Sequence, residues 1–312
     1  MAGYTQLQRS TLEKLAGLYG LTVADFEPIA GGNANSSYLL YTKQGKYVLT
    51  VFEEKALAEV VRIGQLLLLL AKHNFPTSRL LPAANGDITS LHKGKPVMLK
   101  TYIDGQVYEY LDEAMLRQAG EAMARLHQVP APDFLPDKHA YSTHIFPRVI
   151  GRNGHPEYKS WLVKKLAYLE QNIPPGLPCG LIHGDLFYDN VLFEGTKLQA
   201  IIDFEETCRD DKVFDLGMGI VGLCAEGETL ALEKARALVA GYQKVRALDA
   251  LEKQTLQLVV EYAATATSGW RFWKYHIDSP TAEKADRHWQ MVRLANGVAA
   301  IPKARFLEGV FA

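Results

Sequence analysis

Cysteine is scarce. Three occur in 312 residues, Cys179, Cys208 and Cys224, and no two of them form a C-x-x-C pair. A disulfide framework and an all-cysteine zinc site are excluded, and this usage fits a reducing compartment. Net charge is nearly absent as well: 34 Lys+Arg stand against 35 Asp+Glu, a balance of −1. Nucleic-acid binders and polybasic membrane-surface proteins need a cationic footprint that such a composition lacks, so neither partner is expected. Long apolar runs are missing too. The most apolar, Leu66 to Ala71, falls far short of the ~20 residues that span a bilayer. Residues Met1 to Ser10 lack the apolar centre of a signal peptide, so a cytoplasmic protein is expected. No repeat and no low-complexity tract interrupts the chain. What is plentiful is hydrophobic side chain, at 48%, with 10% aromatic and 22% charged residues. That is enough for a sizeable core, and the length suits two domains or one large bilobal unit.

The first hundred residues read as a small β-rich unit. Thr11 to Tyr19 has helical periodicity, with Leu12, Leu15, Ala16 and Tyr19 on one face. Tyr38 to Tyr41 and Tyr47 to Phe52 form a predicted hairpin through Lys43-Gln44-Gly45-Lys46. A helical pattern covers Leu57 to His73, and two further strands are expected at Ile88 to His92 and Val97 to Tyr102. Beyond Asp104-Gly105 the chain turns mainly helical, beginning at Asp112 to His127 with Asp112 as N-cap. Glu252 to His276 reads as one long helix. The expected domains are therefore residues 1–103 and 104–312, the second helical but for a β segment at Val191 to Asp203.

That segment lies in the most informative stretch, Leu181 to Gly217. His183-x-Asp185 is followed five residues later by Asn190, then by two short apolar strands around Glu194-Gly195, the second ending at Asp203. A hairpin there carries Asp203 back beside Asn190. Three oxygen-bearing side chains then converge on one point. Phosphoryl transfer requires that set: a carboxylate to orient and deprotonate an acceptor hydroxyl, and oxygen ligands for Mg²⁺ on the phosphates. Each piece alone is an ordinary loop or strand end; the ordered set is specific.

The H-x-D-x-x-x-x-N spacing with a second Asp is the pattern of protein-kinase-like folds. Within that superfamily the chain resembles the aminoglycoside phosphotransferase and choline kinase-like branch, in which His183-Gly184-Asp185 is typical and Asp203-Phe204-Glu205 stands for D-F-G. Asp215-Leu216-Gly217 matches a structural aspartate of that branch. The resemblance implies an α+β, bilobal protein-kinase-like fold, a small antiparallel N-lobe and a larger helical C-lobe, with ATP·Mg²⁺ between them. It implies Asp185 as catalytic base, Asn190 and Asp203 as metal ligands, and His183 and Asp215 as structural braces.

On the nucleotide side, Gly31-Gly32-Asn33-Ala34-Asn35-Ser36-Ser37 precedes a strand. Small residues there let backbone N–H groups approach phosphate, and Asn35, Ser36 and Ser37 add donors; G-G-N also describes an ordinary turn. In this fold Lys100 to Tyr102 falls on the connector whose backbone pairs with adenine. One departure stands out. Where the pattern has a phosphate-binding lysine, Tyr47-Val48-Leu49-Thr50 offers Thr50, so Lys46, Arg62 or another cation substitutes, or Mg²⁺ and backbone donors carry the charge. The V-L-T strand, the Asn33-Ala34-Asn35-Ser36 loop and Trp270-Arg271-Phe272-Trp273 are similar to the bacterial type II homoserine kinases, from about Leu7 to Phe306.

An amino-acid alcohol needs a cation for its carboxylate and an acid for its ammonium. Arg271, among aromatics, suits the first, although a packed aromatic stripe with a snorkelling arginine has the same sequence. Glu205, two residues after Asp203, suits the second, or stands as a neighbour of the metal site. The expected partner is a small hydroxyl compound, homoserine first, with choline, ethanolamine, an aminoglycoside, a sugar or a serine-like amino alcohol as alternatives. Thr50 also admits a nucleotide-binding pseudokinase, and a scaffold without nucleotide stays open. A homodimer is compatible with the sequence.

Overall fold

A computed structural model describes residues 5–29 and 35–312. The chain divides into two compact units, Met1–Gly105 and Gln106–Ala312.

The first unit opens with helix α1 (Arg9–Gly17), which buries Leu12, Leu15 and Ala16 on one face. Its sheet contains β1 (Val23–Pro28), β2 (Asn35–Thr42), β3 (Gly45–Phe52), β4 (Leu80–Leu81), β5 (Ser90–His92) and β6 (Lys95–Thr101), with α2 (Leu57–Lys72) inserted after β3. The strand order is β1-β2-β3-β6-β4, with β5 also on β6 and every pairing antiparallel. Alternation along the strands sends Tyr38, Leu40, Leu49, Val51, Val97 and Leu99 to one face, where they form a single cluster with Leu12, Leu15, Ala16 and Tyr19.

Two departures from the sequence reading have local causes. The strand expected from Ile88 begins only at Ser90, because residues 83–87 close a turn through Ala83 N–H to the Asp87 carbonyl. The long helix expected over Glu252 to His276 is displaced. It starts two residues earlier, where Asp249 accepts the Glu252 N–H and Glu252 bonds back to the Asp249 N–H. It widens after Trp273 into a π-helical turn over Lys274–Asp278.

The second unit runs through α3 (Glu113–Leu126), α4 (Phe146–Gly151), α5 (Pro156–Asn172), β7 (Cys179–Ile182), β8 (Val191–Glu194), β9 (Lys197–Ile201), β10 (Cys208–Asp211), α6 (Lys212–Cys224), β11 (Ala225–Glu226), β12 (Thr229–Leu230), α7 (Leu232–Val245), α8 (Ala250–Trp273), α9 (Arg287–Ala300) and α10 (Lys303–Phe311). Asp112 caps α3 by accepting the Met115 N–H. Helices α3 and α7 pack backbone to backbone: a Cβ at Gly120 would stand 2.0 Å from the Leu238 carbonyl, and one at Gly241 2.0 Å from that of Arg117. Helix α6 is buried along nearly its whole length and packs on α8, so it forms the axis of the unit. β8 and β9 form the hairpin, and β7 pairs with β10. Among the described residues, no helix is long and apolar enough to cross a membrane.

Candidate active site

Three pieces of the second unit meet: the loop after β7, the stretch after β9 and the first turn of α6. Their anchor is Asp215, fully buried. Its Oδ1 accepts the Gly184 N–H at 2.8 Å, and its Oδ2 accepts the His183 N–H and the His127 Nε2–H, each at 2.9 Å. His127 Nδ1 in turn accepts the Tyr242 hydroxyl at 2.7 Å, and Arg246 donates to that hydroxyl. Burial opposes ionisation of Asp215, but these donors outweigh it and hold the carboxyl below its usual range.

The loop has its shape because position 184 is glycine. Gly184 sits at φ +84°, and a Cβ there would lie 2.7 Å from the Glu206 carbonyl oxygen. His183 ties the loop to the stretch after β9: Nδ1 accepts the Asp185 N–H at 3.2 Å, and Nε2 donates to the Ile202 carbonyl at 2.9 Å. Its ring leans on Phe204, centroids 4.8 Å apart.

Asn190 completes the loop. Its side-chain amide donates to the Asp185 carbonyl at 2.8 Å, while its own carbonyl accepts the Ile202 N–H at 2.9 Å. The next residue, Asp203, is exposed and left-handed at φ +64°, a conformation that a non-glycine residue holds only where its surroundings enforce it. Asn190 is thus tied by its side chain to Asp185 and by its carbonyl to Ile202, next to Asp203, at the base of the β8–β9 hairpin.

The field around Asp185 is acidic. Burial first, then the charges of Asp203, Glu206 and Asp189, push its carboxyl well above the usual carboxylate range. No lysine or arginine among the described residues pairs with it, and its one hydrogen bond among them comes from the Tyr141 hydroxyl. No three His, Cys, Asp or Glu side chains of the described residues close on one metal position. Asn190 Oδ1 and the Asp203 carboxylate are nonetheless hard oxygen donors in the acidic surroundings of Asp185. That donor set fits Mg²⁺, which takes few protein ligands and completes its shell with phosphate and water.

Residues 25–248 match the family model described as the phosphotransferase enzyme family. This chain belongs to that family. A phosphotransferase of this family acts on an alcohol group, as an ATP-dependent small-molecule kinase. The chain is 30% identical over 275 residues to the homoserine kinase of Sinorhizobium medicae, covering 85% of this chain and 84% of that protein. Among solved structures it resembles a spectinomycin phosphotransferase in complex with ADP and spectinomycin (TM-score 0.68, 18% identity, 99% of both chains). It also resembles a microcompartment-associated aminopropanol kinase (TM-score 0.70, 18% identity, 97% of this chain and 99% of that one). These likenesses establish the protein-kinase-like fold.

In the phosphotransferase's first unit, Gly31 and Gly32 lie outside the described residues. Asn35 opens β2. Ser37 and Thr50 face each other across β2 and β3, hydroxyls 3.2 Å apart. Ser36 points to the opposite face. There its hydroxyl accepts the Thr5 N–H and donates to Glu53, which also binds Lys95. Lys100 lies within β6, paired in register with Val48 and Leu80, and the Tyr102 N–H donates to the Lys46 carbonyl. The Lys46 ammonium is taken by Asp104 at 2.5 Å and stands over the Tyr102 ring.

In the second unit, Glu205 occupies the turn between Asp203 and β10. Arg271, on α8, donates to two neutral oxygens, Gln290 Oε1 at 2.7 Å and the Arg287 carbonyl at 3.2 Å. No carboxylate of the described residues pairs with it, and burial lowers its pKa. It acts electrostatically on Tyr188, two residues before Asn190.

The sequence reading missed His127 and Tyr141. His127 ends a helix whose apolar side carries Met123 and Leu126, and a histidine continuing that side was the available signal. Tyr141 gave none, since its partner is 44 residues away.

Proposed function

We propose that this phosphotransferase moves the γ-phosphoryl group of ATP to the side-chain hydroxyl of homoserine. Asp185 aligns that hydroxyl and takes its proton, while Asn190 and Asp203 hold Mg²⁺. One juxtaposition carries the reading: Asn190 clasps the Asp185 main chain with its side-chain nitrogen and holds Ile202 with its carbonyl, which keeps the next residue, Asp203, near enough for its charge to act on Asp185. Mg²⁺ bound there supplies positive charge to the phosphate oxygens during transfer. Asp185 holds the acceptor oxygen in line and receives its proton as the O–P bond forms. Because the transition state of such transfers is loose, orientation matters more than proton abstraction.

Homoserine is favoured by its kinase among the relatives and by Arg271. A half-desolvated guanidinium with only neutral partners is poised for a carboxylate, and its fork geometry suits bidentate contact. Glu205 is assigned to the ammonium end. Gly31, Gly32, Asn35, Ser37, Thr50 and Tyr102 are assigned to the nucleotide; Ser36 is not, its hydroxyl being engaged with Glu53, nor is Lys100, which lies inside the sheet between Val48 and Leu80 and not on a connector. With Thr50 uncharged and Lys46 taken by Asp104, backbone donors and the metal carry the phosphate charge.

A coupled assay of ADP release tests this, with homoserine, serine, choline, ethanolamine, aminopropanol and spectinomycin as acceptors. Homoserine is expected to give the highest kcat/KM. If homoserine is inert and another compound is consumed, the acceptor assignment fails and the phosphotransferase stands. The second reading is an amino alcohol without a carboxylate, favoured by the acidic groups around Asp185; aminopropanol turned over ahead of homoserine would establish it.

A further inference from the structure

Asp185 stands in a field that repels it. Asp189, Asp203 and Glu206 all act on its carboxyl, and no cation among the described residues pairs with it. A carboxylate in such a place is free to rotate about χ2 unless a donor fixes it, and rotation spoils the alignment on which in-line transfer depends. The described residues supply that donor once. The Tyr141 hydroxyl reaches Asp185 Oδ1 at 3.3 Å, and no second side chain or amide reaches the carboxylate.

Tyr141 is itself held from behind. It opens a π-helical turn, Tyr141–Ile145, that leads into α4, and its side chain is buried. A π-turn is rare and recurs where a side chain must be aimed off the α-helical register. The Tyr141 ring packs on His139, centroids 5.6 Å apart, and His139 stacks on Phe214 of α6 at 4.4 Å and 11°. The His139 N–H donates to Asp210 of β10 at 3.1 Å. The hydroxyl is thus placed by a short, stiff sequence of contacts that starts on the strand and helix framing the site.

We infer that Tyr141 is a positioning residue for phosphoryl transfer: its hydroxyl occupies Oδ1 of Asp185 and leaves Oδ2 to the acceptor hydroxyl. The inference rests on the assignment of Asp185 as base and adds what sets that base's orientation. The donor bond is made before the acceptor arrives, so it bears on turnover more than on binding.

The test is a double-mutant cycle of Tyr141→Phe and Asp185→Asn, with ATP·Mg²⁺ and whichever acceptor of the panel the unaltered protein turns over fastest. Tyr141→Phe keeps the ring and its packing, and its thermal midpoint should stay near that of the parent. It is expected to lower kcat about tenfold, with KM for ATP and acceptor unchanged. In the Asp185→Asn background the same change should have no further effect on residual turnover, because the amide still accepts the Tyr141 hydroxyl but is no longer a base whose orientation sets the rate. Equal losses in both backgrounds would mean that Tyr141 acts only on the fold, and this would overturn the inference. So would full kcat in Tyr141→Phe while Asp185→Asn is severely impaired. If Asp185→Asn itself turns over at the parent rate, the base assignment fails first and the role of Tyr141 falls with it.

Discussion

The side-chain amide of Asn190 donates to the main-chain carbonyl of Asp185 across 2.8 Å, so the two residues are fixed to each other before any ligand binds. The nitrogen of that one side chain closes the loop, and its oxygen is the atom assigned to the metal. Asn190→Ala should therefore do two things together. It should raise the Mg²⁺ concentration for half-maximal turnover by at least about tenfold, and it should lower kcat at saturating metal. Titration of activity with Mg²⁺ separates the effects. A variant impaired in kcat with an unchanged Mg²⁺ requirement would remove Asn190 from the metal.

Asp185→Asn is expected to cut kcat by about 10²–10⁴, the usual worth of a positioned base. Nucleotide affinity should stay near that of the parent, because the proposed metal ligands remain. Calorimetric titration with ADP·Mg²⁺ checks the second half, and a large loss of nucleotide binding would mark Asp185 as a ligand instead.

Arg271 offers a sharper check on the acceptor. Arg271→Leu should raise KM for homoserine by about 10- to 100-fold, as expected for a lost hydrogen-bonded charge pair, and leave KM for ATP alone. Homoserinol, which lacks the carboxylate, should be indifferent to the change. Equal losses for both compounds would assign Arg271 to packing against α9.

Glu53 predicts a pH dependence of stability. Burial opposes its charge, but hydrogen bonds from Lys95, Ser36 and Thr5 prevail and hold its carboxyl at about 2, below the ordinary 4.5. A depressed folded-state pKa adds stability above the unfolded value, and that contribution is lost as pH falls through the folded one. The stability difference between the parent and Glu53→Gln should be full above pH 4.5 and shrink towards pH 2. Urea unfolding across that window measures it, and a difference independent of pH would detach Glu53 from the effect.

Gly184→Ala should be among the most damaging single-methyl changes in the chain. The left-handed backbone alone costs about 1–3 kcal/mol for a side chain, and the added carbon meets the Glu206 carbonyl at 2.7 Å. Both the melting temperature and kcat should fall. An unchanged kcat would show that the loop tolerates a different path.

Much of this was legible in the residues because it is local. The β2–β3 hairpin announces itself through Lys43-Gln44-Gly45-Lys46 between alternating apolar runs, and the α3 cap through Asp112. β1 was not legible: Val23–Pro28 is an edge strand with mostly exposed residues, so it lacks the apolar alternation of its neighbours. Nor was the β7–β10 pair, since Cys208–Asp211 reads as a polar loop and becomes a strand only by bonding Cys179–Ile182. At the site, the order His183, Asp185, Asn190, Asp203 fits a short stretch of chain. What holds it does not: His127 lies 88 residues from Asp215, and no spacing rule reaches that far.

The burial of Asp215 has a thermodynamic corollary. The peptide hydrogens of His183 and Gly184 are locked to a carboxylate on the innermost helix of the second unit, and His127 and Tyr242 lock the same carboxylate to α3 and α7. Those two hydrogens can exchange with solvent only when the helical bundle itself opens. By that measure the segment carrying Asp185 belongs to the most slowly exchanging part of the chain, and thermal fluctuation of the bundle sets how long the site stays assembled.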